Sequence, residues 1–212
     1  MKIDLHVHSS ERSSCGKALE EDQVRAAITA GLDAIVFTDH HRLAPLERLA
    51  EMNRRYAPFQ IFGGIEITTD GEDMLVLGVR DPALESAKWS YPDLHALVRE
   101  RGGFIAMAHP FRYHPQVQLD LDRYVPDAIE LHSVNTSPAR QDQISAIAAR
   151  LGIPTLCNSD AHTTAALGQY YNILETSPAD EQALIALLKA GRFACCDRSR
   201  LQHIWQSITR PA

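Results

Sequence analysis

Apolar and polar positions alternate with a period of two at the start of the chain. Ile3, Leu5 and Val7 interleave with Lys2, Asp4, His6 and His8, which predicts a β-strand. The period then changes. Residues 18–31 put Leu19, Val24, Ala27 and Ile28 on one helical stripe, with Glu20, Glu21 and Asp22 in the first turn and Gly31 as C-terminal cap. Further apolar runs predict strands over 33–37, 59–62 continuing through 65–67, 74–77, 104–108, 127–131 and 153–157. Between them, helical stripes predict helices over 43–56, 92–101, 139–151 and 179–190. Continuous apolar strands alternating with helices imply an α/β fold with a parallel sheet covered by helices. A closed or nearly closed β/α barrel is the simplest form, and an open doubly wound sheet is the alternative.

Composition narrows this picture in few places. The 212 residues suffice for one domain spanning 1–212, and 45% hydrophobic with 23% charged residues carries no disorder, collagen or coiled-coil signal. A formal net charge of −6 provides no basic field for nucleic acid. We read no signal peptide and no membrane-length apolar run, so the expected location is cytoplasmic. Cys15, Cys157, Cys195 and Cys196 lack zinc-ribbon spacing, and free thiols are the expectation. The tail from Ala194, with Trp205, is a candidate cap for the barrel bottom.

Chemistry enters with the histidines. On a strand, His6 and His8 project the same way and can aim ring nitrogens at one point, as a metal ion requires. Alone, such a pair reads more readily as two half-buried histidines bonded to neighbours. The remaining ligand types change that balance. Asp39 and His40, Glu66, His109, His132, and Asp160 and His162 each fall at or beyond the C-terminal end of another predicted strand. In a barrel those ends share one mouth, so the joint prediction is a multinuclear metal site.

Five ordered stretches, Asp4-Leu-His-Val-His8, Thr38-Asp39-His40, Gly64-Ile-Glu66, Ala108-His-Pro110 and Ser159-Asp-Ala-His162, resemble the ligand motifs of the PHP (polymerase and histidinol phosphatase) superfamily. The resemblance runs from Lys2 to about Gly191. It implies a distorted, TIM-like β/α barrel of seven strands binding two or three divalent ions, with Zn, Mn or Fe expected and Mg allowed. It also implies phosphoesterase activity. By the family pattern, His6, His8, Glu66 and Asp160 hold one metal, Glu66 bridges to a second held by His109, and a third uses His40 and His162. Two departures stand out. Where members often supply another histidine for the second metal, this chain has Glu72 and Asp73, so Asp73, Glu72 or His132 is the expected substitute. Where members usually offer Asp or His in the first loop, this chain has only Glu11 and Cys15 as strong ligand types.

The implied reaction is hydrolysis of a phosphate ester, on a small molecule, a nucleotide or a nucleic-acid end, by metal-activated hydroxide. Asp160 or His162 is the expected proton carrier, and Arg112 the residue placed to grip phosphate, ahead of Arg12 and Arg42. Asp39 is expected to orient a ligand histidine, and Glu130 to support the site from its strand. His41, His95, His114 and His203 read as surface positions, and Asn135 and Asn158 as turn formers or hydrogen-bond partners. Two rivals remain: an amidohydrolase-like metal hydrolase, disfavoured because no lysine falls at a strand end, and a non-catalytic PHP-fold binding module.

Overall fold

The computed structural model describes residues 1–86 and 88–198. Nine strands form one sheet: β1 (Lys2–Val7), β2 (Ala34–Phe37), β3 (Gln60–Thr69), β4 (Glu72–Leu77), β5 (Phe104–Met107), β6 (Ala128–His132), β7 (Thr155–Cys157), β8 (Tyr170–Leu174) and β9 (Phe193–Asp197). Their spatial order is β7-β6-β5-β4-β3-β2-β1-β8-β9. The helices are α1 (Glu20–Thr29), α2 (Leu46–Tyr56), α3 (Ala83–Ser86), α4 (Tyr91–Glu100), α5 (Gln141–Leu151) and α6 (Glu181–Lys189). The barrel type is the expected one, with nine strands in place of seven.

Local chemistry sets the helix ends. Ser90 accepts the Asp93 N–H at the start of α4, Asp180 accepts the Ala183 N–H at the start of α6, and α5 closes on Gly152 at φ 67°. Helix α2 begins at Leu46 rather than at residue 43, because Pro45 pushes Ala44 out of the helical region.

The sheet is mixed rather than parallel. Strand β4 returns antiparallel to β3 through Asp70-Gly71 and also pairs antiparallel with β5, while β8 pairs antiparallel with both β1 and β9. Strands β8 and β9 and the short α3 have no counterpart in the sequence prediction. The antiparallel turn of β4 matters to the site, since it brings the first residues of that strand to the rim where the other strands end.

Strand β1 contains a bulge. Asp4 pairs with Ile35 and Val7 with Phe37, so β1 advances three residues while β2 advances two. Ile3 and Leu5 therefore join the cluster of Leu75, Leu77, Phe104, Leu156 and Leu188, whereas Val7 packs with Val24, Phe37 and Leu49 beneath α1 and α2. A third cluster, including Ile65, Ile67, Val98, Ile105 and Ile144, lies under α4 and α5. Helix α6 contributes Leu184, Leu187 and Leu188 to the first cluster. Trp205 and His203 lie outside the described residues.

The seam of the barrel is closed by side chains. Asn172 on β8 accepts the Cys157 N–H (3.1 Å) and donates to the Cys157 carbonyl (2.8 Å), standing in for a missing strand ladder. Beyond β7 the chain pairs with β1, where Ala161 N–H donates to His6 O and His8 N–H to Ala161 O. Cys157 and Cys195 form a disulfide with Cα atoms 5.1 Å apart, which corrects the expectation that all four cysteines are free thiols. Their 38-residue separation hides the proximity that the seam creates. Cys15 and Cys196 are free.

Candidate metal centre

Four donors converge at the mouth. His6 and His8 place their Nε2 atoms 3.0 Å apart; Glu66 Oε2 stands 3.3 and 3.2 Å from these nitrogens, and Asp160 Oδ1 also 3.3 and 3.2 Å. Five of the six separations among these donor atoms thus fall between 3.0 and 3.3 Å, and imidazole and carboxylate are donor types that suit Zn²⁺. All four residues are fully buried. Glu66 Oε2 and Asp160 Oδ1 nevertheless accept no hydrogen bond, although both are sealed from solvent. An orphaned buried carboxylate oxygen is costly unless a cation completes it, so the donor set fits a divalent ion.

The surrounding residues set which nitrogen faces the cage. Glu130 Oε1 accepts from His6 Nδ1 (3.1 Å) and Asn158 Nδ2 (2.8 Å), and its other oxygen accepts the His109 N–H (2.9 Å). A proton on His6 Nδ1 leaves the Nε2 lone pair free for a metal. Ser13 does the same for His8: its hydroxyl donates to Asp39 (2.8 Å) and so accepts from His8 Nδ1 (3.3 Å). Asp39 is itself occupied by Ser9, Arg12 and Ser13, acting on His8 through the serine. Ser13 was missing from the sequence-based set because an irregular loop offers no periodicity.

A second group adjoins the first through Glu66, whose Oε1 lies 2.9 Å from His109 Nε2. Donor atoms of Glu66, Asp73 and His109 fall within 4.8 Å of one another, as do those of His6, His109 and Asp160. Of the three substitutes considered for the usual histidine, Asp73 is the one brought here. It pairs with Thr68 across the hairpin, accepting from Thr68 Oγ1 (2.6 Å) and Tyr113 OH (2.9 Å). Counting outward from the Asp70-Gly71 turn would have found that pairing in the sequence. Glu72 instead accepts the Gln118 N–H. His132 belongs to none of the ligand-type groups among the described residues; its ring stacks on Tyr170 (5.6 Å, 7°) and hydrogen-bonds Gln141.

A third group lies further out, where donor atoms of His8, Cys15, His40 and His162 fall within 4.8 Å of one another. His40 Nδ1 is 3.1 Å from Glu66 Oε2, and His162 Nδ1 donates to the Asp160 carbonyl (3.1 Å). Glu11 is not part of it, since its carboxylate accepts the Glu20 N–H at the start of α1. Arg112 Nη1 sits 3.3 Å from Asp160 Oδ2 with 29% of its side chain exposed, and Asn135 Nδ2 donates to the same oxygen. Arg12 is tied to Asp39 and Glu20, whereas Arg42 is exposed near Glu85.

Backbone strain marks the same place. His109 and Asp160 take positive φ angles, 23° and 51°, unfavourable for residues with a Cβ. Electrostatics separate the inner and outer histidines. Burial works against a charged His6, but Asp160, Glu66 and Glu130 outweigh it and hold its pKa well above the usual value; His8 and His109 are raised in the same way. Against the opposing effect of burial, the charge of His6 holds Glu66 and Asp160 well below the carboxylate range. Burial, helped by the charge on His8, pushes His40 and His162 down, and burial pushes the Cys15 thiol up. Burial also raises Asp4 to about 7, although Ser159 donates to it from side chain and backbone.

Residues 4–130 match the family described as PHP domain, and residues 140–193 match the family described as PHP-associated. No match is found among curated proteins. Among solved structures, PsfC from Pseudomonas syringae is similar, with a TM-score of 0.65, 23% identity and 87% of each chain covered. A two-domain protein from Bacteroides vulgatus, containing a predicted PHP-like metal-dependent phosphoesterase, gives a TM-score of 0.70 at 18% identity over 93% of this chain and 64% of the other. An amidohydrolase from Chromobacterium violaceum, with bound sulfate and no metal, gives 0.66 at 19% identity, covering 92% of this chain and 98% of the other. At these identities the likeness is one of fold.

Proposed function

The chain belongs to the PHP domain family, and from that premise we propose that it is a metal-dependent phosphoesterase hydrolysing a phosphate ester of a small molecule or a nucleotide end. The observation that carries this reading is the position of Glu66. One of its oxygens is orphaned between His6 and His8, while the other faces His109 at 2.9 Å, the arrangement expected of a carboxylate bridging two cations.

Divalent ions, when bound, supply Lewis acidity and a source of hydroxide near neutral pH. His6, His8, Glu66 and Asp160 would hold the first, and Glu66, Asp73 and His109 the second. The chain's own residues do the rest. Arg112, at the mouth beside Asp160, offers its guanidinium fork to the non-bridging phosphate oxygens, and Asn135 keeps Asp160 turned toward the cage. Asp160 stays ionised because its carboxyl lies far below its ordinary range. His162, kept neutral by burial, is the group we assign to accept and return a proton when only the inner positions are filled. The phosphate-bearing substrate is the only partner this reading requires, and no helix among the described residues is long and apolar enough to cross a membrane.

Hydrolysis of amides on the same metals is the rival. The lysines are residues 2, 17, 88 and 189, and none stands at the C-terminal end of a described strand to be modified into a bridging ligand.

The deciding experiment combines elemental analysis of purified protein with a screen of phosphomonoesters, phosphodiesters and cyclic phosphates in the presence of Mn²⁺ or Zn²⁺. We expect at least two ions per chain and turnover that Glu66→Ala abolishes. Absence of stoichiometric metal, together with unchanged turnover in Glu66→Ala, would overturn the assignment.

A further inference from the structure

The loop joining β1 to α1 carries a ligand-type residue that the two inner positions do not use. Cys15 is a free, half-buried thiol whose sulfur falls within 4.8 Å of ring nitrogens of His8, His40 and His162, which are themselves equally close to one another.

Hydrogen bonds on both sides put it there. Ser13 Oγ accepts the His40 N–H (2.9 Å), and the Lys17 N–H donates to the His162 carbonyl (2.8 Å). Residues 13–17 therefore span the gap between the two loops that carry His40 and His162, with Cys15 at the midpoint. Gly16 N–H donates back to Ser13 O (3.0 Å), and a Cβ on Gly16 would stand 2.6 Å from the Ser9 main chain. Only glycine lets the loop fold this tightly, and that fold turns residue 15 toward the histidines.

The neighbouring histidines divide cleanly. His8 is committed to the inner cage, since Ser13 holds its Nδ1 and its Nε2 faces Glu66 and Asp160. His162 donates through Nδ1 to the Asp160 carbonyl, which leaves its Nε2 lone pair free. His40, Cys15 and His162 remain as donors for an outer position.

We propose that Cys15 binds, as a thiolate, a divalent ion held at an outer position by His40 and His162, giving this mouth a sulfur-containing third site. The inference rests on the phosphoesterase reading of the two inner positions. On binding, the Cys15 S–H bond breaks and a sulfur–metal bond forms, the proton passes to solvent, and no electron is transferred. Two imidazoles and a thiolate favour Zn²⁺ or Co²⁺ over Mg²⁺ or Mn²⁺, and three protein donors leave one position open. The outer position thus differs in metal preference from the carboxylate-rich group of Glu66, Asp73 and His109.

The test uses the full chain loaded with Co²⁺, read by near-ultraviolet absorption and by elemental analysis, alongside alkylation of the free cysteines with and without Zn²⁺. We expect a thiolate-to-cobalt charge-transfer band in the wild-type protein and in Cys196→Ser. Cys15→Ser should lose that band and one equivalent of metal while keeping the inner ions, Cys15→His should restore the equivalent without the band, and Zn²⁺ should protect Cys15 from alkylation. A band that survives in Cys15→Ser, or alkylation of Cys15 indifferent to Zn²⁺, would overturn the proposal. Two bound ions with no band would overturn it while leaving the phosphoesterase reading intact; a protein that binds no cobalt at all would overturn both.

Discussion

Glu130 accepts the Nδ1 proton of His6 at 3.1 Å, so a carboxylate two strand positions before His132 decides how an imidazole on the opposite side of the seam presents itself to the cage. Its second oxygen takes the His109 N–H, which ties the inner group to the adjoining one. Glu130→Gln keeps the shape but cannot accept on both ends. We expect apparent metal affinity to fall about 10- to 100-fold, by chelator competition, with the circular dichroism spectrum unchanged. An affinity equal to wild type would remove Glu130 from the site.

The metal-free protein should be alkali-sensitive. His6, His8 and His109 have raised pKa values, so the stability they lend is full below their ordinary 6.5 and is lost as pH rises through the raised values. Glu66 and Asp160 have lowered values, so their contribution is present above their ordinary 4.5 and 3.8 and is lost as pH falls toward the depressed ones. Thermal melts of chelator-treated protein should therefore peak between mildly acidic and neutral pH and decline on the alkaline side. Metal binding needs neutral imidazoles, so it should strengthen with rising pH and release protons, seen by calorimetry in buffers of different ionisation enthalpy. Proton-neutral binding would contradict the charged state we assign to these histidines.

Arg112 is tested by truncation. If its fork holds a phosphate oxygen, Arg112→Ala should lower kcat/KM by about 10- to 100-fold, the worth of a charge-assisted hydrogen bond. Metal content should stay at the wild-type level, since Arg112 touches Asp160 only through the oxygen turned away from His6 and His8. Arg112→Lys should recover part of the loss by restoring charge without the planar fork. Equal kinetics in all three proteins would eliminate the role.

The seam depends on Asn172. Asn172→Ala leaves the Cys157 N–H and carbonyl and the Asn158 amide oxygen short of a partner inside the barrel. Each such loss costs about 1 to 3 kcal/mol, so denaturant unfolding should show a destabilisation of roughly 3 kcal/mol or more. A change near zero would mean that the disulfide and the Ala161 pairing hold the seam without it.

Much of the fold was legible because it rests on periodicity. Apart from the start of α2 and the short α3, the strand and helix stripes of residues 2–157 fall where the hydrophobic pattern puts them, and most ligand types placed at strand ends meet once those ends share a rim. Errors arose where burial pattern is blind to direction or geometry. Strand β4 reads as an apolar run whether it travels up or down, and only its antiparallel pairing carries Asp73 to the mouth. Strands β8 and β9 are short, and their character comes from pairing at the seam.

The sequence by itself determined the residue types of the site, the alternation that gives His6 and His8 a common face, and the barrel class, since each follows from local spacing. Tertiary structure alone decided which donors meet: Asp73 and not His132 beside His109, Cys15 and not Glu11 beside His162, and Cys157 bonded to Cys195. These outcomes depend on the one-residue bulge in β1, on loop bonds such as Lys17 to His162, and on strand order across the seam. Such contacts join residues far apart in the chain, and no local pattern in the sequence encodes their distance.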